Sequence, residues 1–334
     1  MIKGNTDLIS QTFQGKMKIP DWQPFSTYLK DIFLKCKNNN KGNVATYIPQ
    51  LAQYSHGDWA MSVCTVDGQR LSLGDIETPF TMQSCSKPFI YALCLSELGH
   101  NVVHQFIGYE PSGRKFNEIC LDRAGKPHNP MLNGGAIMSC ALILQLVQPK
   151  TNLAEKYDFL FNSLHRMAGY ELLDFNNSVF LSERETADRN FAMGYFMKEN
   201  KSFPANTDLQ ETLDLYFQSC SLEVNTETLA VMGATLANGG TCPTTGEKVL
   251  KSSDVRDVLS LMYSCGMYNY SGEFAFKVGL PAKSGVSGCV LLVVPHVMSV
   301  ALWSPPLDSL GNSVRGIQFC KVRQRMENDL ETCR

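Results

Sequence analysis

Strand-like sequence lies in two distant parts of the chain, and this separation limits the folds that the chain can adopt. In the early part, "WAMSVCTVDGQRLSLGD" contains two short apolar runs around Asp67 and Gly68, which is a strong signal for a tight β-hairpin. In the late part, we interpret "EFAFKVG", "GCVLLVVP" and "VMSVALWSP" as strands. One sheet built from both parts is the economical packing, because every strand can then bury an apolar face in the same core.

Sequence with helical spacing fills the stretch between these two parts. From about residue 84 to about residue 220, apolar residues recur every three to four positions in segments that are separated by loops rich in Gly, Pro and Asn. Helices are also predicted at "TETLAVMGATLANGG", which its two glycines end, at "SSDVRDVLSLMYSCG" and at "SVRGIQFCKVRQRM". An earlier helix in "DWQPFSTYLKDIFLKC" precedes the loop "KNNNKGN".

The predicted architecture is therefore α/β of the α+β type, an antiparallel sheet flanked by helices with an inserted all-helical subdomain. We place a helical lead-in at residues 1–40 and a catalytic domain at 41–325, followed by a short tail at 326–334. Within the domain, the sheet part covers about 41–90 and 225–325, and the helical insert covers about 91–224.

The charge and cysteine patterns exclude several classes of partner. With 30 basic and 32 acidic side chains well mixed over 334 residues, the chain has no summed positive field to attract nucleic acid or an anionic membrane. No run reaches the roughly 18 apolar residues that cross a bilayer, and "MIKGNTDLISQ" resembles neither a secretory signal nor a transit peptide. The 12 cysteines form no C-x-x-C pair, so free thiols in a reducing compartment are expected.

No cofactor is predicted from the motifs. The six histidines are scattered along the chain, and no metal site is predicted from them. The chain also contains neither a Walker A loop nor a G-x-G-x-x-G, which excludes the usual nucleotide and dinucleotide sites.

The stretch "QSCSKP" places Ser84 three positions before Lys87. Pro88 falls in the first turn of a predicted helix, where a missing N–H costs least, so Ser84 and Lys87 share one face and can meet. A helix N-terminus disfavours an ammonium and lowers the pKa of a desolvated lysine, and a serine needs such a base to be nucleophilic at neutral pH. On these six residues alone, a capping serine followed by a solvated lysine explains the pattern equally well.

A second Ser-x-x-Lys and two other segments bear on that choice. Ser112 and Lys115 have the same spacing but lie beside Pro111 and Gly113, which favours an exposed turn. Between the late strands, "PAKSGVSG" supplies small residues that let a substrate approach the backbone, as an acyl-transfer site requires. Upstream, "GMYNYSG" offers Tyr268 and Tyr270, either of which is a phenolic acid or base or simply a partly buried ring.

Longer blocks of the chain resemble the catalytic domain of animal glutaminases of the kidney and liver type, within the serine-dependent glutaminases. The similarity runs from about residue 18 to about residue 320 and includes "YIPQLA", "SVCTVDGQR", "KPHNPM", "SERE", "DRNFA", "TLANGG", "SCGMY", "GLPAKSGV" and "LLVVP". The resemblance implies the fold of β-lactamases and DD-peptidases (the penicillin-binding proteins), and it implies hydrolysis of L-glutamine to L-glutamate and ammonia.

The resemblance also implies roles for individual residues. Ser84 is implied as the nucleophile, with Lys87 as its activating partner and Tyr268 as the proton shuttle. The N–H groups of Ser84 and Val286 are implied as the oxyanion hole. The implied binding residues for the amino-acid end of glutamine are Tyr47, Asn133, Glu183, Asn190 and Tyr216.

The chemistry of glutamine is consistent with that set, although each residue has an ordinary alternative. Free glutamine has an ammonium and a carboxylate, so its pocket needs one acid, here Glu183, and several neutral donors. Without the resemblance, Asn133 reads as a turn residue, Tyr47 as a packing residue, and Glu183 as part of a surface ion pair with the neighbouring arginines.

Assembly, regulation and localisation follow from the resemblance alone. It implies a homotetramer, possible self-association into filaments, inorganic phosphate as an activator, and a mitochondrial location, with the cytosol as the alternative. The loop at 109–126 departs from the family pattern at Glu118 and Cys120, which puts phosphate activation and inhibitor binding at this loop in question. The long N-terminal segment and the ankyrin-type repeats of full-length members are missing, which suggests a fragment or a short isoform.

Two alternative functions share parts of this pattern. A β-lactamase-like or peptidase-like serine hydrolase uses the same nucleophile chemistry, but the chain lacks the Lys-Thr-Gly and the secretion signal of those enzymes. A non-catalytic glutamine sensor would keep the pocket without turnover. The intact set of Ser84, Lys87 and Tyr268 favours an enzyme.

Overall fold

A computed structural model describes residues 17–113 and 117–321 of the chain. Its main sheet has five strands in the order β2-β1-β8-β7-β6, and every neighbouring pair is antiparallel. The strands are β1 (Ala60–Thr65), β2 (Arg70–Gly74), β6 (Ala282–Ser284), β7 (Cys289–Val294) and β8 (Met298–Trp303). The predicted sheet from both parts of the chain is thus confirmed, since β1 pairs with β8 across more than two hundred intervening residues.

A second, smaller sheet lies beside the first. It consists of β3 (Phe80–Thr81), β4 (Asp174–Phe175) and β5 (Leu222–Val224) in the order β3-β5-β4. Two of these strands belong to the predicted insert, which is therefore helical but not entirely so. The strand β5 begins two residues after the last helix of this stretch ends at Cys220, because Leu222–Val224 pair with β3 and β4.

Helices surround both sheets. Short 3₁₀ turns occur at Gln83–Ser86 and Tyr268–Tyr270, and a π-helical turn occurs at Ile143–Val147. The helices within the described residues are α1 (Trp22–Lys37), α2 (Pro49–Ala52), α3 (Lys87–Leu98), α4 (His100–Phe106), α5 (Asn133–Leu142), α6 (Leu153–Met167), α7 (Asn177–Glu185), α8 (Asp188–Glu199), α9 (Leu209–Cys220), α10 (Thr226–Ala237), α11 (Ser252–Cys265), α12 (Ser271–Val278) and α13 (314–321).

The main sheet separates two apolar cores. Alternation along β1 sends Ala60 and Cys64 into the larger core, which contains α3, α5, α9 and α10. Met61 and Val63 point into the smaller core, where α1, α12 and α13 cover the opposite face. Because successive side chains of a strand point to opposite faces, a shift in pairing by one residue would move the buried side chains to the wrong core. The alternation therefore also fixes the register of the sheet. The lead-in helix α1 is therefore packed on the sheet. The domain boundaries proposed above stay a prediction. The tail at 326–334 lies outside the described residues.

One predicted strand is wrong. The segment "EFAFKVG" forms the helix α12, which ends at Gly279 in the left-handed conformation with φ of 71°. Alternating phenylalanines suggested a strand with one apolar face, but Phe274 is buried whereas Phe276 is 87% exposed. A helical Glu273–Lys277 ion pair four residues apart supports this conformation.

Several other local predictions are confirmed. Gly68 turns the β1–β2 hairpin with φ of 91°, and the two glycines after α10 both have positive φ. Pro88 lies in the first turn of α3. The cysteines of the described ranges are all free thiols.

Candidate active site

Ser84 lies in a tight turn between the smaller sheet and the helix α3. It belongs to the 3₁₀ turn Gln83–Ser86, which follows β3 and leads directly into α3. Gln83 has φ of 49°, a left-handed conformation that non-glycine residues rarely adopt and that concentrates at functional sites. The turn is buried, so the hydroxyl of Ser84 is largely shielded from solvent.

Lys87 is buried at the start of α3. Its Nζ donates a hydrogen bond to Oδ1 of Asn133 at 2.6 Å. Burial lowers the pKa of Lys87 to about 7, and the positive charge of Lys283 adds to that lowering. The direction agrees with the expectation from the helix start, but the main cause is desolvation, which penalises the ammonium form.

Tyr268 is the partner of Ser84. It begins the 3₁₀ turn Tyr268–Tyr270 with φ of 53°, and its pKa is raised well above the usual value by burial, while a side-chain hydrogen bond with Ser84 opposes part of that rise. Tyr268 is therefore a neutral phenol at physiological pH. Tyr270, the other candidate, packs in the smaller core against Phe274.

Lys283 is a functional candidate that sequence reasoning did not assign. It is fully buried on β6, where its Nζ donates to the main-chain oxygens of Ser284 (2.8 Å) and Gly266 (3.1 Å). The same nitrogen lies 4.6 Å from the ring centroid of Tyr268, and burial lowers the pKa of Lys283 to about 8. The signal was present in "PAKSGVSG", where an ionisable residue stands inside an apolar strand.

Three of the predicted binding residues are connected to Lys87. Asn133, at the first turn of α5, accepts from Lys87 and donates through Nδ2 to Oδ1 of Asn190 at 3.1 Å. The ring of Tyr216, on α9, lies 6.0 Å from the Lys87 Nζ. Three helices of the insert thus supply neutral polar groups around one buried amine.

Glu183 and Tyr47 form the other wall. The Tyr47 hydroxyl donates to Oε1 of Glu183 at 2.5 Å, and Nε2 of Gln83 donates to the same oxygen at 3.1 Å. Burial raises the pKa of Glu183, and these two hydrogen bonds oppose the rise. The ion pair on this helix instead joins Arg184 to Asp214. Gln83 is a second residue that sequence reasoning did not assign, since nothing local marks it as different from other glutamines.

Val286 lies in the turn between β6 and β7. The Gly288 N–H closes this turn on the Gly285 oxygen at 3.0 Å. A Cβ at Gly285 would lie 2.9 Å from the Met82 oxygen, so the turn packs directly against the segment that precedes Ser84. Within the described residues, the Val286 N–H donates to no main-chain oxygen.

The loop at 109–113 and 117–126 borders the same region. Ser112 lies in irregular structure, whereas Lys115 lies outside the described residues. Ser112, Glu118 and Tyr268 line one cavity of about 590 Å³. Ser112, the serine of the second Ser-x-x-Lys, therefore lines the approach to Tyr268.

Metal-type clusters and membrane-spanning helices are both absent from residues 17–113 and 117–321. No cluster of three or more His, Cys, Asp or Glu side chains that could hold a metal ion occurs there. No helix in these ranges is both long and apolar enough to span a bilayer.

An antiparallel sheet covered by helices on both faces, with a buried serine and lysine where a helix begins beside it, defines the β-lactamase-like fold. A sequence profile of the family described as Glutaminase matches residues 42–329. The chain belongs to the glutaminase family.

Individual relatives agree with this assignment. The chain is 52% identical to the liver isoform of mitochondrial glutaminase from Mus musculus over 96% of its length and 52% of that protein. It is 45% identical to a glutaminase of Trichormus variabilis, covering 93% of this chain and 91% of that one. It also superposes with a TM-score of 0.84 on a crystal structure of Mglu in its glutamate form, at 35% identity, covering 92% of this chain and 69% of that chain. The chain spans about half the length of the animal relatives it matches.

Proposed function

We propose that this chain is a glutaminase that hydrolyses the side-chain amide of L-glutamine to L-glutamate and ammonia through a serine acyl-enzyme. One observation carries the proposal: Ser84 interacts with the Tyr268 phenol and lowers its pKa, beside a buried lysine whose own pKa is about 7. Family membership supports the same reaction. The glutamate form of the Mglu structure is consistent with recognition of the product.

In acylation, Oγ of Ser84 attacks the amide carbon of glutamine, and its proton passes to the neutral amine of Lys87. A lysine with a pKa near 7 is partly neutral at physiological pH, which makes it an effective base. When the tetrahedral intermediate collapses, the Tyr268 phenol protonates the departing nitrogen, which leaves as ammonia. The proton held at Lys87 then restores the phenol.

The developing oxyanion is assigned to the N–H groups of Ser84 and Val286. Preorganised donors of this kind stabilise the tetrahedral intermediate and are commonly the largest single contribution to acyl transfer. Support comes from the Val286 N–H, which donates to no main-chain oxygen within the described residues. In deacylation, water attacks the ester, its proton passes to the Lys87–Tyr268 system, and the Ser84 hydroxyl is restored as glutamate leaves.

The amino-acid end of glutamine is assigned to the side chains around Lys87 and Glu183. The Glu183 carboxylate suits the substrate ammonium, since the pocket side chains Tyr47 and Gln83 already orient one of its oxygens. Asn133, Asn190 and Tyr216 are neutral hydrogen-bonding groups suited to the substrate carboxylate. This division places one acid at the positive end of the substrate and neutral donors at its negative end.

Assembly, cofactors and location are further parts of this proposal. We propose that the reaction needs no cofactor, that inorganic phosphate activates the enzyme, and that the chain forms a homotetramer able to extend into filaments. A mitochondrial location is supported by the name of the mouse relative. Ammonia release measured with and without phosphate, with sedimentation of the same samples, tests activation and assembly together.

The test of the nucleophile uses the two Ser-x-x-Lys serines as a matched pair. Ser84→Ala is expected to abolish ammonia release from glutamine while leaving the melting temperature nearly unchanged. Ser112→Ala is expected to retain most of the activity. Hydroxylamine added to the wild type should divert the acyl-enzyme to glutamyl hydroxamate, and Ser84→Ala should form none.

Other results would favour the alternatives. Glutamine binding without ammonia release by the wild type would identify a sensor, and hydrolysis of a chromogenic cephalosporin would identify a β-lactamase-like enzyme. A Ser84→Ala variant that released ammonia from glutamine at the wild-type rate would contradict the proposed mechanism.

A further inference from the structure

Two tryptophans are buried against the main sheet in nearly identical surroundings. Trp59, just before β1, donates its indole N–H to the Phe33 oxygen at 3.0 Å and stacks on the Phe33 ring at 5.0 Å with an angle of 6°. Trp303, at the end of β8, donates to the Ser287 oxygen at 2.9 Å and stacks on Phe80 at 5.2 Å with the same angle. The two side chains are 2% and 0% exposed. They differ in the segments that their partners belong to.

The hydrogen-bond partner of Trp303 lies in the turn that contains Val286. Besides the indole bond to Ser287, the Ser304 N–H donates to the Gly288 oxygen at 3.0 Å. Trp303, the last residue of β8, and Ser304, which follows it, thus hold two consecutive carbonyl groups of the turn. Within the described residues, the other main-chain hydrogen bonds of the turn join it to itself and to β7, so these two bonds help to fix the path of the segment that contains Val286.

The stacking partner of Trp303 lies in the strand that leads to Ser84. Phe80 is fully buried in β3 and is separated from the nucleophile turn by only two residues, Thr81 and Met82. The edge of Trp303 also meets the Tyr54 ring at 5.3 Å. One indole therefore bridges the two segments that supply the proposed oxyanion N–H groups.

Trp59 makes the same contacts away from the site. Phe33 belongs to α1, and both residues lie in the smaller core on the opposite face of the sheet. Trp303 and Phe80 lie in the larger core. A substitution that removes the indole N–H costs each residue a comparable hydrogen bond, but only at Trp303 does the freed carbonyl belong to the site.

We propose that Trp303 is a positioning residue that sets the separation of the Ser84 and Val286 N–H groups. The inference rests on the proposed function, because it assigns a role in the oxyanion hole of that reaction. Oxyanion donors act only when they lie about 2.7–3.1 Å from the developing charge, and misplacement by about 1 Å can cost roughly a hundredfold in rate. Rigid support by a buried ring and a directed hydrogen bond maintains such a distance.

The stage of the reaction at which the oxyanion forms determines which kinetic constant should change. The charge develops in the transition state and not in bound glutamine, so a misplaced donor lowers kcat and leaves KM largely unchanged. Product glutamate carries its recognised groups at the other end of the pocket. Its inhibition constant should therefore also stay constant.

The test compares Trp303→Phe with Trp59→Phe in the otherwise unchanged chain. Each variant loses one indole N–H and retains an aromatic ring, so both should melt a few degrees lower than the wild type. Trp303→Phe should lower kcat at least about tenfold, with KM and the glutamate inhibition constant within about twofold. Trp59→Phe should keep kcat within about twofold of the wild type.

Equal kcat values for the two variants would overturn the inference, as would a Trp303→Phe effect confined to KM. If Trp303→Phe fails to fold, Phe80→Leu and Phe33→Leu form a second matched pair that keeps both indoles, and only Phe80→Leu should lower kcat. A wild type that releases no ammonia from glutamine would overturn the proposed function and this inference together. Normal wild-type turnover with indistinguishable variants would overturn only the role of Trp303.

Discussion

The buried lysines Lys87 and Lys283 interact through their charges, and Lys283 lowers the pKa of Lys87. They come from opposite parts of the chain, one at the start of α3 and the other on β6. Burial lowers the pKa of Lys283 less far, to about 8, and its Nζ donates to the main-chain oxygens of Ser284 and Gly266. At neutral pH, one amine is thus largely charged while the other is partly neutral, which is the division that a serine–lysine site needs.

The first prediction concerns pH. Because the neutral form of Lys87 is the proposed base, kcat/KM should rise with pH through about 7 and level off above it. Replacing Lys87 by Arg should lower kcat at least about a hundredfold, since a guanidinium does not lose its proton in this range. A pH–rate profile of the wild type checks the first statement, and a falling profile through pH 7 would contradict it.

The second prediction isolates Lys283. In Lys283→Met the nearby positive charge is removed, so the pKa of Lys87 should rise and the acidic limb of the profile should move to higher pH. A one-unit rise would lower the neutral fraction of Lys87 at pH 7 from about one half to about one tenth. Lys277→Met, which removes an exposed lysine paired with Glu273, is the control and should leave the profile in place. A midpoint that stays fixed or moves down in Lys283→Met would be incompatible with this coupling.

The third prediction concerns substrate binding. Tyr47→Phe removes the hydroxyl that donates to Glu183, and a hydrogen bond to a charged group contributes about 1.5–3 kcal/mol. Because Tyr47 is half exposed, we expect the lower end, a rise in KM of roughly tenfold with a smaller change in kcat. Steady-state kinetics on glutamine provide the measurement. Tyr195→Phe, on the exposed side of α8, should change neither constant.

The fourth prediction concerns stability. Arg315 is 2% exposed, and its guanidinium satisfies oxygens from several loops around the edge of the sheet. These acceptors are the main-chain oxygens of Asn39, His56, Gly57 and Asp58 and the side chains of Asn40 and Ser304.

Arg315→Met leaves these oxygens without their donor, and each unsatisfied buried group costs about 1–3 kcal/mol. We expect the free energy of unfolding to fall by at least about 3 kcal/mol, measured by urea titration. Arg256→Met, at a side chain that is 79% exposed, should change it by less than about 0.5 kcal/mol. Similar losses in the two variants would show that Arg315 does not hold these loops together.

Local chemistry made several elements predictable. The tight turn at Asp67-Gly68 requires a positive φ, which glycine adopts without strain. These two residues are therefore enough to predict the hairpin. Pro88 and the apolar spacing behind it placed the start of α3, and with it the side chains of Ser84 and Lys87 on adjoining turns. The same local reasoning failed at "EFAFKVG", because two phenylalanines separated by one residue do not reveal that Phe276 stays in water.

The sequence by itself determined four strands of the main sheet (β1, β2, β7 and β8), most helices and the serine to examine, because these depend on neighbours within a few positions. Only the tertiary structure decided that Lys283 lowers the pKa of Lys87, that Tyr47 orients Glu183 across 136 positions, and that Trp303 rather than Trp59 faces the site. Electrostatic shifts and hydrogen bonds of this kind depend on distance in space and on the exclusion of water. Neither quantity is encoded in any short stretch of the chain.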